Sequence, residues 1–201
     1  IRPGERALHA MRERGVEYVE VRLLDLDPFE PIGINAQTLH FLDVFLLHCL
    51  LSDSPPDSPP EIADMADNQH LAAARGREPG LLLQRQGQAV PLATWGHELL
   101  AAMAPVAQRL DANGAAASAP AATPHADALA AMVHRLHHLD TSPSAQVLSQ
   151  VQARADQSYV GFVCERSASA RQQLLALPWA AAQQAAFDAE SRQSLVDQKA
   201  I

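Results

Sequence analysis

The 201-residue chain reads as α+β: mostly helical, with one or two strands. Three observations lead there. Hydrophobic residues make up 48% of the chain, enough to bury a core rather than stay disordered. Aromatics are only 4% while Ala recurs throughout, a composition suited to helices packed through small side chains. Apolar residues repeat at helical spacing in most segments, whereas alternation with period two is confined to one early stretch, Val16–Leu24.

Taken in order, Pro3 stands where a helix starts, and ERALHAMRER carries Leu8 and Met11 on one face until Gly15 stops it. In Val16–Leu24, Val19, Val21 and Leu23 point one way and Tyr18, Glu20, Arg22 and Leu24 the other. DLDPFEPIGIN, with two prolines and a glycine, is a loop. Thr38–Ser52 is an apolar helix whose inner face is read as Leu39, Leu42, Phe45, Leu46, Cys49 and Leu50. DSPPDSPPE is a linker, and Glu61–Ala74 a second helix that GREPG ends. LLLQRQGQAVPL holds a short strand or hairpin, and His97–Leu110 is helical. After the low-complexity join ANGAAASAPAATP come helices at His125–Leu139, Ser144–Gln157 and from Phe162 onward, the last broken at Pro178. Ser142 reads as an N-cap with Pro143 in the first turn.

Charge narrows the partners. With 15 basic against 23 acidic residues the net charge is −8, which argues against nucleic acid, since phosphate needs a basic face. A nucleotide such as ATP stays open, because its site needs only a few local cations and a metal. Cys49 and Cys164 lie far apart without a CxxC pair, so a reduced, cytoplasmic chain is the simplest reading. No apolar run reaches the length of about 18 residues that a membrane helix needs, and no signal peptide is read. The chain opens on Ile1 and closes on QKAI, so it is expected to be part of a longer protein.

Glu20 and Arg22 are the unusual residues. Two positions apart on a strand, they leave the same face about 6–7 Å from each other, with Tyr18 beside them. A carboxylate suits a hard cation, and an arginine can clamp phosphate. On spacing alone an exposed strand with a weak surface ion pair is the simpler reading.

The flanking residues add more. YVEVRLLDLDPFEPIGI followed by TLHFLDVFLLHCLL resembles the glutamate–cysteine ligases (γ-glutamylcysteine synthetases) of the proteobacterial type. The match rests on Tyr18, Glu20, Val21, Arg22, Leu24, Asp25, Pro28, Phe29, Pro31, Ile32 and Gly33, then on Phe41, Leu42, Asp43 and Phe45. It continues through Glu61, Asn68 and GREPGL, and more loosely through TSPSAQVL and FVCERSASARQQ. The resemblance is strong over residues 15–81 and loose after about 110. Asp27, Glu78 and Gln146 depart from the residues usual at their positions, which puts local salt bridges in doubt.

The resemblance implies a glutamine synthetase-like ligase fold, of which this chain is the mostly helical C-terminal portion with one or two strands of the antiparallel active-site sheet. Residues 1–110 would be the C-terminal part of the catalytic domain, and 111–201 a helical region of the same domain. It implies ATP-dependent joining of the γ-carboxylate of L-glutamate to the amine of L-cysteine through a γ-glutamyl phosphate, the first step of glutathione biosynthesis. ATP is the co-substrate and Mg²⁺ the cofactor. Glu20 takes the metal-ligand role and Arg22 the catalytic role, steadying the transferred phosphoryl group. The remaining metal ligands and substrate pockets belong to strands ahead of Ile1, so the chain alone is expected to be inactive and to fold poorly, its strand edge lacking neighbours. Two alternatives stay open: a non-catalytic helical interaction module, and a γ-glutamyl ligase for another amine.

Other residues invite simpler readings. His134, His137 and His138 have metal-compatible helical spacing but no ligand partner in sequence, and read as a polar helix face. His40, His48 and His97 read as ordinary surface or half-buried residues. Cys49 reads as inert core and Cys164 as exposed. Arg77 reads as a turn residue with nucleotide contact as the alternative.

Overall fold

A computed structural model describes residues 4–22, 24–114 and 122–199. Pro3, Leu23, residues 115–121 of the low-complexity join and the last two residues lie outside the described residues. The α+β, mostly helical class holds. The described elements run α1 (Ala7–Arg14), α2 (Ala36–Leu51), α3 (Pro59–Arg75), β1 (Leu82–Arg85), β2 (Gln88–Pro91), α4 (Leu92–Gly114), α5 (Pro124–His137), α6 (Pro143–Ala153), α7 (Tyr159–Leu175) and α8 (Ala181–Lys199).

Helix ends follow local chemistry. The side-chain oxygens of Asn35, Ser58, Ser142 and Ser158 accept first-turn backbone N–H groups of α2, α3, α6 and α7. Ser58 and Ser142 are each followed by proline, so the DSPPDSPPE linker ends by starting α3, and the Ser142–Pro143 reading is borne out. The predicted break at Pro178 falls between α7 and α8. Helix α4 begins at Leu92, earlier than His97, because β2 hands the chain straight into it.

The predicted hairpin forms in LLLQRQGQAVPL. β1 and β2 pair antiparallel, Leu82 opposite Pro91 and Arg85 opposite Gln88, around Gln86 and Gly87, both at positive φ as a two-residue hairpin turn requires. Asn68 of α3 acts as a third ladder partner: its amide donates to the Gln84 carbonyl (2.7 Å) and accepts from the Gln84 N–H (2.8 Å).

The core lies between α2, α4 and α5, around Val44, Leu100, Met103, Ala107 and Leu129. Gly96 lets α4 approach α5, since a Cβ there would meet Leu136 Cδ1 at 2.8 Å. Val44 is fully buried, whereas Leu39, Phe45, Cys49 and Leu50 of the predicted inner face are exposed. Helix α2 is apolar on nearly every side, so periodicity could not select the face that packs. Cys49 is accordingly an exposed thiol rather than core, and Cys164 is exposed as expected.

Among the described residues of Val16–Leu24 the expected strand does not form. Residues 15–22 and 24–26 carry no regular structure, and the described sheet contains β1 and β2 alone. A strand exists only through its ladder, and no described strand lies alongside this segment. Among the described residues, no helix is long and apolar enough to cross a membrane.

Candidate functional site

Glu20 and Arg22 do meet. Arg22 Nε donates to Glu20 Oε2 at 2.5 Å, and a terminal guanidinium nitrogen contacts the same oxygen. The pair stands in solvent, with the Arg22 side chain 80% and the Glu20 side chain 40% exposed. Tyr18, Val19 and Val21 around it are exposed too. An ion pair so placed contributes little to stability, and each partner is free to exchange the other for a ligand.

This segment leads into a loop closed by its own hydrogen bonds. The Asp27 N–H donates to the Gly33 carbonyl (2.8 Å), and the Phe29 N–H donates to Asp27 Oδ1 (2.9 Å), an Asx turn. Gly33 sits at φ +79°, where a Cβ would strike Leu26. Asn35 closes the loop, accepting the Thr38 N–H as the α2 cap and donating to Glu30 (3.1 Å).

Arg166 of α7 holds the loop from the far side. It donates to the Pro28 carbonyl (3.1 Å) and the Phe29 carbonyl (3.3 Å), and its guanidinium stacks over the Phe29 ring. Phe162, one turn earlier on α7, meets Phe29 edge to face. Loop and helix flank a cleft of about 1020 Å³ whose walls include Leu26, Asp27, Arg135, Tyr159 and Arg166. Sequence reasoning missed Arg166, because its partners are carbonyls some 137 positions away that leave no residue-type signature.

The GREPGL turn is held by a two-pronged pair between Arg75 and Glu78, both bonds 2.6 Å, which lowers the Glu78 pKa. Arg77 is exposed beside it and lines an apolar groove with Phe41, Phe45, Leu100 and Met132. His134, His137 and His138 are exposed, as expected of a polar face, and the rings of His134 and His138 lie 4.4 Å apart.

A second cluster escaped the sequence reading altogether. Asp111 of α4 is buried and caps α5 from outside, accepting the N–H groups of His125 (3.1 Å) and Ala126 (3.0 Å). It also accepts from His125 Nδ1 at 2.7 Å. Burial pushes the Asp111 carboxyl up, but these donors outweigh it and hold its pKa below the ordinary value. His125 also faces Asp43 and His40 of α2. These four residues come from three helices, so no spacing along the chain announces them.

Comparison with known proteins agrees with the loop motif. Residues 1–72 match the family model described as glutamate–cysteine ligase. The chain is 40% identical to the glutamate–cysteine ligase of Janthinobacterium sp. (strain Marseille) over 99% of its own length and 36% of that protein's. It is 42% identical to that of Pseudomonas aeruginosa (strain PAO1) over 97% of the chain, again 36% of the relative. A crystal structure of the Francisella tularensis glutamate–cysteine ligase in complex with AMP superposes with a TM-score of 0.83 at 29% identity, covering 99% of this chain and 38% of that one. Fold and motif thus define a largely helical segment of the ligase type. More narrowly, the chain is similar over nearly its whole length to glutamate–cysteine ligases, and it spans about 36% of the length of the curated relatives it matches.

Proposed function

We propose that this chain contributes the phosphoryl-clamping segment of an ATP-dependent ligase joining the γ-carboxylate of L-glutamate to the amine of L-cysteine. In that reaction a γ-carboxylate oxygen attacks the terminal phosphorus of ATP and ADP leaves. The amine then attacks the acyl carbon and phosphate leaves. The observation that carries the reading is the contact of Glu20 with Arg22 on an exposed segment leading directly into the Arg166-held loop.

Arg22 would exchange Glu20 for phosphoryl oxygens, for which a planar guanidinium offers two parallel donors. Glu20 fits a hard cation, since its carboxylate is accessible and Mg²⁺ takes oxygen ligands; it would fill one of about six positions. Such an ion, when bound, neutralises charge on the phosphates. Arg166 and Gly33 would set the path of the loop behind the pair. The AMP in the Francisella tularensis structure supports a nucleotide partner, and a cytoplasmic setting suits the substrates. Residues 1–110 and 111–201 would belong to one domain, in line with a core that draws Leu129 from beyond residue 110 onto Val44 and Met103.

One carboxylate and one arginine do not complete such a site, so the 201 residues alone should release no ADP with ATP, glutamate and cysteine. Grafted in place of the matching 36% of the Pseudomonas aeruginosa enzyme, the chain should restore glutamate- and cysteine-dependent ADP release. A correctly folded graft that releases none would contradict the proposal.

A further inference from the structure

The cluster on α2, α4 and α5 carries an inference that does not draw on Glu20, Arg22 or the loop held by Arg166. His40 and Asp43 lie three apart on α2, hence on one side of it, and His125 lies in the first turn of α5. One donor atom from each falls within 4.8 Å of the others. His125 Nε2 is 3.9 Å from Asp43 Oδ2, and the His40 and His125 ring centroids are 4.8 Å apart.

Two details give this grouping the character of a ligand set. Asp111 is buried and already accepts two backbone N–H groups, so as a carboxylate it can only accept from the His125 ring as well. Nδ1 therefore carries a proton, and Nε2 is turned toward Asp43. A histidine held by a carboxylate at one nitrogen and free at the other is the arrangement found around metal-bound imidazoles. The second detail is His40 Nδ1, which is shielded from solvent and has no hydrogen-bond partner. A buried imidazole nitrogen without a partner is costly unless it finds a donor or a cation.

We propose that His40, Asp43 and His125 bind a divalent transition-metal ion of the zinc type, with Asp111 orienting His125, and that the ion clamps α2 to α5. Two imidazoles and one carboxylate suit zinc, cobalt or nickel and not magnesium, which takes oxygen. Ligand atoms around such an ion sit about 3.3 Å apart, given metal–ligand distances of about 2.0–2.1 Å. The donors must therefore close by up to about 1.5 Å, a movement open to the Asp43 side chain, which is 63% exposed.

The test is a titration of the metal-free protein with Zn²⁺ by calorimetry, with Co²⁺ absorption as a spectroscopic check. The expected result is one saturable site per chain, a rise in Tm with Zn²⁺, and no competition from millimolar Mg²⁺. Asp43→Ala, at an exposed position that leaves packing alone, should weaken Zn²⁺ at least tenfold, as should His40→Ala. Asp111→Asn should weaken it about 10- to 100-fold. Replacing His134, His137 and His138 together by Ala should leave the affinity unchanged. Absence of a saturable site, or an affinity that survives both Asp43→Ala and His40→Ala, would overturn the proposal. Because the readout is metal binding and Tm, the result does not depend on whether the ligase reading stands.

Discussion

The extended segment Val16–Arg22 and the α2–α4–α5 bundle are opposites. The bundle buries Val44, Met103 and Ala107 almost completely and joins its helices through Asp111 and His125. The extended segment exposes Val16, Tyr18, Val19 and Val21 and pairs Glu20 with Arg22 in solvent. Yet the densest family motif covers the segment, the loop after it and α2, while α5 lies in the loosely matching part. Packing and chemistry are thus carried by different stretches. A strand-like sequence with no described strand beside it carries the proposed Glu20–Arg22 site, and a helical core with ordinary residues holds the bundle together.

The contrast can be probed from its strongest side down. Met103→Ala empties a core position that is 2% exposed and should cost about 3 kcal/mol, read as a fall in Tm of roughly 6–12 °C. A change under 1 °C would mean the bundle is not the stable part. Arg166→Ala strips charged donors from the Pro28 and Phe29 carbonyls and should cost about 2 kcal/mol, with faster amide exchange confined to residues 25–34. Unaltered exchange there would show that the loop holds itself.

A smaller effect is expected in acid. The Asp111 pKa is depressed in the folded chain, so its contribution is complete above the unfolded value of about 3.9 and is lost as pH falls through the folded value. Between pH 5 and pH 3 the wild-type Tm should therefore fall more steeply than that of Asp111→Asn; parallel profiles would contradict the assignment. The smallest effect belongs to the segment. Val19→Ala should change stability by less than about 0.5 kcal/mol in chemical denaturation, because the side chain is exposed.

Much of this was legible in the residues. Caps and breakers stand beside the elements they bound, so Ser142–Pro143, Gly15 and Pro178 marked their boundaries from sequence alone. The hairpin was visible in the polar QRQGQ between two apolar runs. Helix α2 was legible as a helix but not in its facing, since Leu, Phe and Val occupy nearly every side and only contact with α4 and α5 selects Val44. Val16–Leu24 alternates as a strand should, but alternation reports which residues share a face and says nothing about whether a neighbour is present to pair with. Glu20 and Arg22 were singled out because their flanks form a dense motif. Arg166, Asp111 and His125 were not, because their roles arise from contacts between distant helices and no local pattern encodes them.

The central claim is that Arg22 serves catalysis and not stability. The direct test is Arg22→Lys in the grafted Pseudomonas aeruginosa enzyme, measuring kcat for ADP release and Tm on the same preparation. Lysine keeps the charge and loses the two-pronged geometry. The account predicts a loss in kcat of about 100-fold or more with Tm unchanged. Unchanged turnover, or a loss that merely tracks a fall in Tm, would contradict it.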